Sequence, residues 1–302
     1  MITALAGAGD VIFSDELNHA SIIDGCRLSR AQVVVVPHRD LRALEAALAS
    51  HTGRRRFVIS ETLFSMDGDV ADVVALAELA RRHDAALILD EAHAVGVWGP
   101  EGRGIAAEHG VVPDILVGTG GKALGASGAF AATTPAIAQL LWNRARSLVF
   151  STGIPPAVAA SVVAAIEIVR GREGDERRRT VARNARMLRE RVASLGRSSL
   201  SLVDSWRSSP SMAGSRSSVV ESSSVELGGD PASAIAPLLV GDDRVVMQLS
   251  RRLFDAGIFA QGIRPPTVPV GTARIRVSVS SGHSENDIEI LAAALVDALR
   301  HR

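Results

Sequence analysis

Cysteine is almost missing from this chain: Cys26 is the single one in 302 residues. One thiol excludes a disulfide framework and a cysteine-built metal cluster, and it fits a reducing cytoplasm. A surplus of either charge is missing too. Lys plus Arg (33) equals Asp plus Glu (33), so no positive excess draws the chain to nucleic acid or to an anionic membrane. No apolar run approaches the roughly 20 residues a membrane-spanning helix needs, and Met1 to Asp10 lacks the basic start of a secretory signal. These absences predict a soluble, unexported protein with neither a nucleic-acid nor a membrane partner.

What is present is the composition of a packed protein, 47% hydrophobic and 22% charged. The length exceeds what one hydrophobic core usually supports, which predicts two unequal domains. From Val11 to about Phe150, apolar β-branched runs alternate with segments of helical period. Val33 to Val36, Phe57 to Ser60, Ala86 to Leu89 and Asp114 to Val117 read as strands buried on both faces. Asp40 to Ala49 and Val70 to His83 carry apolar residues three and four apart, the spacing of helices. Strand and helix repeated in this way imply an α/β fold with a mostly parallel sheet, whose ligands bind beyond the carboxyl ends of the strands.

Pro155-Pro156 interrupts that pattern. Ala157 to Arg170 and the highly charged Arg170 to Arg191 read as helices, whereas Ser198 to Ser224, with 13 serines in 27 residues, reads as a loop or disordered linker. A strand at Ile235 to Val240, a helix at Asp243 to Ala256, an alternating strand at Ala273 to Val279 and a helix at Ser284 to Arg300 make a small α+β domain. Ser284 with Asp287 forms a capping-box-like start to the last helix. The expected organisation is a large domain over 1–155, connecting helices over 156–196, a serine-rich linker or insertion over 197–231 and a small domain over 232–302.

Leu87-Ile88-Leu89-Asp90-Glu91-Ala92-His93 ends a buried strand in a carboxylate with an imidazole three residues later. Nucleotide hydrolases use such a pattern to hold magnesium, but they need an earlier Gly-x-x-x-x-Gly-Lys-Ser/Thr loop, and none exists. Gly118 to Ala123 comes later and offers Ala123 where the hydroxyl should be. The other chemistry that fits is pyridoxal phosphate catalysis. There a lysine forms a Schiff base and a carboxylate pairs with the pyridinium nitrogen, making the ring an electron sink. Lys122 follows the strand Asp114 to Val117 in the turn Gly118-Thr119-Gly120-Gly121, and such a turn lets backbone and hydroxyl groups approach a phosphate. The basic residues are almost all arginine, so a lysine among glycines is informative.

Five segments carry a resemblance: Asn18 to Gly25, Glu61 to Asp69, Asp90 to Gly104, Gly118 to Gly128 and Phe150-Ser151-Thr152. They resemble the successive signatures of the α-oxoamine synthases, pyridoxal phosphate enzymes of fold type I. Ile263 to Pro269, followed by Gly271 to Arg276, is most similar to the members that join L-alanine to a pimeloyl thioester in biotin biosynthesis. Others of the family use glycine or serine with acetyl, succinyl or palmitoyl donors. The likeness covers nearly the whole chain except about Arg197 to Pro231.

The resemblance implies a role for each matching residue. Lys122 would bond the cofactor and move the α-proton, Asp90 would pair with the ring nitrogen, His93 would bond the ring oxygen, and His19 would stack on the ring and assist proton transfers. Ser65 and Thr119 would contact the cofactor or an intermediate. Thr152, after the strand-like Leu148 to Phe150, would reach the phosphate of a neighbouring subunit, which implies a homodimer. Arg276 would clamp the amino-acid carboxylate, with Arg264 and Thr267 at the same mouth. Arg274 and Arg276 share a face of one strand, so one of them could be merely solvated. Glu61 and Asp69 read as structural, holding the turn around Ser65. No metal is expected, and an acyl carrier protein is a possible donor. The family's pattern also places Met1 well inside the large domain, so about a quarter of a typical member is absent. A misplaced start or a frameshift would account for that and for the serine-rich stretch. An active acyltransferase and a non-catalytic remnant are the two readings this leaves.

Overall fold

The structure, a computed structural model, describes residues 1–207 and 226–300. Two compact units divide the chain: one comprises Met1–Ser65 and Val70–Arg178, the other Met66–Asp69 and Arg179–Arg302.

The first unit is built on six strands, β1 (Val11–Asp15), β2 (Gln32–Val36), β3 (Arg56–Glu61), β4 (Ala86–Asp90), β5 (Ile115–Thr119) and β6 (Ala129–Thr133), in the order β2-β1-β3-β4-β5-β6. Every pairing is parallel except that of β5 with β6. Helices α1 (Ile2–Leu5), α2 (Ala20–Ser29), α3 (Leu41–Ser50), α4 (Val73–Arg82), α5 (Ile105–Glu108), α6 (Pro135–Arg144), α7 (Arg146–Val149) and α8 (Pro156–Arg170) belong to the same unit. The sequence starts several of them sharply. Asp40 accepts from the Ala43 amide ahead of α3, and Asp72 from the Ala75 amide ahead of α4, each satisfying a backbone donor that the first turn leaves open. Ile12, Phe57, Ile59, Ile88 and Ile115 from the sheet pack with Ile2, Ile22 and Leu141 from the helices in one buried cluster.

The second unit holds the sheet β7-β9-β8, from β7 (Ile235–Gly241), β8 (Gln261–Ile263) and β9 (Ala273–Ser278), all antiparallel. Helices α10 (Asp243–Asp255) and α11 (Glu285–Arg300) cover it, together with the part of α9 (Arg172–Arg207) that follows Arg178. Leu188, Val192, Leu238, Leu249, Ile275 and Leu295 form its core.

Three expectations need correction. The run Val33 to Val36 is not buried on both faces: among the described residues β2 pairs with β1 alone, and Val35 is 63% exposed. Leu148 to Phe150 is not strand-like. Val149 donates to the Ala145 carbonyl and Phe150 to that of Arg146, closing a helical turn that three consecutive apolar residues could not signal. The serine-rich stretch is not wholly a loop, because α9 continues as far as Arg207; its remainder, 208–225, lies outside the described residues. The alternating pattern also misses β6 and the three-residue β8, which are too short or too rich in alanine to stand out.

Candidate active site

Adjacent strands β3, β4 and β5 end in Glu61, Asp90 and Thr119, so their last side chains gather at the carboxyl edge of the parallel sheet. Glu61 and Asp90 are register partners. Neighbouring strands lie about 4.8 Å apart, and two full charges at about 5 Å repel by roughly 3 kcal/mol at an effective dielectric near 20. Both carboxyls therefore do not ionise with equal ease. Asp90 is half-buried and accepts the Ala92 amide on Oδ1 at 2.8 Å. Glu61 is 2% exposed and its Oε1 meets no hydrogen-bond partner. Burial first, then the Asp90 charge, pushes its carboxyl up to about 8; the backbone amides of His19 and Ser65 and the charge of Lys122 pull the other way. The same electrostatics thus bring Glu61, Asp90 and Lys122 into one site.

Asn18 secures this corner. Its Oδ1 accepts the Glu61 amide at 2.9 Å, and its Nδ2 donates to the Ile59 carbonyl and to Ser14 Oγ. His19 follows as the N-cap of α2, with Nδ1 2.8 Å from Ser21 Oγ and accepting the Ser21 amide. That contact assigns the ring proton to Nε2. On the far side of Asp90, Glu91 is fully buried and accepts from Thr62 Oγ1 at 2.9 Å and from the amides of Ile105 and Ala106 at 3.1 and 2.7 Å. Burial raises its pKa. A Cβ at Gly104 would stand 2.5 Å from Glu91 Oε2, so only glycine lets the loop close over that carboxyl. His93 is half-buried in the turn that Glu91 anchors.

Lys122 sits in a compact turn after β5. Gly120 donates to the Gly128 carbonyl, Gly125 to that of Lys122, and Ala126 to that of Gly120. A Cβ at Gly120 would lie 2.7 Å from the Ser127 carbonyl oxygen, which explains the glycine. Thr119 Oγ1 donates to the Gly128 carbonyl and accepts the Gly121 amide, so its hydroxyl shapes the turn that carries the lysine. Ser65 is buried and Thr152 is exposed in the segment after α7.

In the second unit, Arg274 and Arg276 share the middle strand β9, and neither is merely solvated. Arg274 is buried, ion-paired to Asp67 and bonded through Nε to the Thr272 carbonyl. Arg276 is half-buried, its guanidinium pKa lowered by burial, and it bonds Ser278 Oγ at 3.0 Å. Arg264 and Thr267 are exposed in the turn after β8, where the Thr267 amide donates to the Arg264 carbonyl. Among the described residues no group of side chains has metal-ligand arrangement, and no helix is long and apolar enough to cross a membrane.

The family model "Aminotransferase class I and II" matches residues 1–295. The chain belongs to that family. It is 43% identical over 298 residues to the 8-amino-7-oxononanoate synthase of Geobacter sulfurreducens, covering 98% of this chain and 69% of that relative. It is 42% identical over 304 residues to the enzyme of the same name from Cupriavidus necator, covering 100% and 69%. Among solved structures, a serine palmitoyltransferase from S. paucimobilis with a PLP-myriocin adduct bound gives a TM-score of 0.86 at 27% identity, over 99% of this chain and 69% of that one. The 8-amino-7-oxononanoate synthase of Francisella tularensis gives 0.76 at 26% identity, over 99% and 78%.

Membership makes this an enzyme of the fold type I, pyridoxal phosphate-dependent group. The residues present fit that cofactor: a lysine held in a glycine turn, a strand-end aspartate, and beside it a buried carboxyl with an unanswered oxygen. Glu61 holds the same place as Asp90, the last residue of a strand buried in the sheet, and register sets the two side by side.

Proposed function

We propose that this chain condenses L-alanine with a pimeloyl thioester, from pimeloyl-CoA or a pimeloyl carrier protein, releasing the thiol and carbon dioxide and forming 8-amino-7-oxononanoate. What carries the reading is Lys122 sharing one site with Asp90 and Glu61, in a chain more than 40% identical to enzymes of that name. Bound pyridoxal phosphate supplies the electron sink that condensation and decarboxylation both need.

The chain's own residues supply the rest. Lys122 would hold the cofactor, and its amine would serve as the base for the α-proton of the amino acid. Asp90 would pair with the ring nitrogen. His19, with the proton on Nε2, serves later proton transfers, and His93 bonds the ring oxygen. Ser65 and Thr152 contribute hydroxyls to the cofactor, while Thr119 holds the turn beneath it. Arg276 clamps the substrate carboxylate as a fork, a geometry that lysine lacks. Arg264 and Thr267 would contribute to binding the same substrate.

The enzyme works as a homodimer in the cytoplasm, where a lone buried thiol is stable. Helix α8 is rich in alanine and valine yet has no buried residue, Phe150 and Ile154, two residues either side of Thr152, are exposed, and so is Trp142. Such a surface suits a second subunit.

Thiol release with L-alanine and pimeloyl-CoA tests the reading, with glycine and serine and with acetyl-, succinyl- and palmitoyl-CoA as competitors. Preference for serine with palmitoyl-CoA would instead support the activity named for the S. paucimobilis structure. A coloured, borohydride-sensitive protein that turns over no pair would be a non-catalytic remnant.

A further inference from the structure

We propose that Glu61 is a positioning residue that acts through Asp90: it holds a proton while the Asp90 charge is unanswered, and surrenders it as the cofactor's ring nitrogen pairs with Asp90. The inference rests on the cofactor reading above and adds a residue to it. Its basis is geometric. Glu61 and Asp90 close two neighbouring parallel strands in register, so their carboxyls stand side by side on one face of the sheet. Glu61 is the more buried, and its Oε1 has no partner, so a charge there is poorly supported. Asp90 has the Ala92 amide to support its charge. Asn18 fixes the Glu61 backbone, which prevents the carboxyl from escaping by a shift of the strand end.

The charged groups that face Glu61 are Asp90 from β4 and Lys122 from the turn after β5; the segments before α2 and after β3 offer only the His19 and Ser65 amides. Burial is the larger reason that Glu61 holds its proton, and Asp90 is the charge that adds to it. A cationic ring nitrogen set against Asp90 cancels the repulsion. The proton on Glu61 then leaves to solvent, one proton lost from Glu61 for one gained by water or buffer.

The test is calorimetric titration of pyridoxal phosphate into the full chain and into Glu61→Gln, in buffers of different ionisation heat, which counts protons exchanged on binding. At pH 7 the wild type should release more protons than Glu61→Gln, or take up fewer, by about a third of a proton or more. Near pH 9.5, where Glu61 is already ionised, the difference should vanish. Equal counts at pH 7, with both proteins coloured, overturn the proposal and leave the cofactor reading intact. Were the wild type never to develop a borohydride-sensitive colour, both would fall. Should Glu61→Gln not fold, Glu61→Met, of similar size and without a titrating group, takes its place, and equal counts for it and the wild type at pH 7 overturn the proposal.

Discussion

Glu61 and Asp90 face each other across β3 and β4 as the last residues of their strands, two carboxyls where the fold has room for one negative charge. The stability of the protein should record this. Folded Glu61 titrates at about 8, against an ordinary value of 4.5, so between those values the folded chain binds the proton more tightly than the unfolded one. The stabilisation is complete below about pH 4.5 and is lost as pH rises through 8. Urea midpoints at pH 5.5 and 8.5 should therefore fall less steeply for Glu61→Gln than for the wild type. Identical slopes would show that Glu61 titrates normally.

Lys122 is the chain's only lysine among 33 basic residues. Borohydride reduction in the presence of pyridoxal phosphate should leave one labelled peptide, containing Lys122, and Lys122→Ala should abolish both label and colour. Its turnover should drop at least about 100-fold, the scale of a lost proton-transfer group. Label retained elsewhere would locate the chemistry at another amine.

The two arginines of β9 should separate in their effects. Arg276→Lys keeps the charge but not the fork, and should raise KM for the amino acid about tenfold with little change in melting temperature. Arg274→Ala strips Asp67 of its partner inside the second unit and should cost about 1 to 3 kcal/mol of stability. Should Arg274→Ala instead raise KM with stability unchanged, the roles are reversed.

Glu91 accepts one hydroxyl and two amides in a dry loop directly after Asp90. Glu91→Ala leaves those donors unanswered, and about 3 kcal/mol should be lost from the denaturant-measured stability. A loss below about 0.5 kcal/mol would mean that water replaces the carboxyl.

At the opposite edge of the sheet, Asp10 is buried beneath Arg54 and Arg55. Burial alone would raise its pKa, but hydrogen bonds from Arg55, Arg54 and the Gly7 amide hold the carboxyl far below the usual range. Its contribution is present above the ordinary aspartate value and disappears as pH falls toward the folded one. Asp10→Asn should lower stability at pH 7 and flatten the acid limb of the stability curve below pH 4; an unchanged acid limb would assign it to other groups.

Much of the fold was legible in the order of residues because its signals are local. Unbroken apolar runs such as Ala86 to Leu89 mark strands covered on both faces, and Asp40 or Asp72 ahead of a helical period marks a capped helix start. Strand-end residues are then suspects by topology alone, which led to Asp90 and Lys122. The failures came where the local signal is weak: Leu148 to Phe150 has no period to read, and nothing within Val33 to Val36 tells that β2 has a neighbour on one side only.

Chain order and residue type were enough to establish an α/β protein with a lysine and an aspartate suited to one cofactor, since hydrophobic periodicity and side-chain chemistry act over a few residues. Which carboxyl carries a proton, and which arginine of β9 is already spent on an ion pair, depended on folding. Asp90 is 29 positions beyond Glu61, and Arg274 is 207 beyond Asp67. Charge states respond to burial and to neighbours a few ångströms away, and those neighbours exist only once distant strands have been laid side by side.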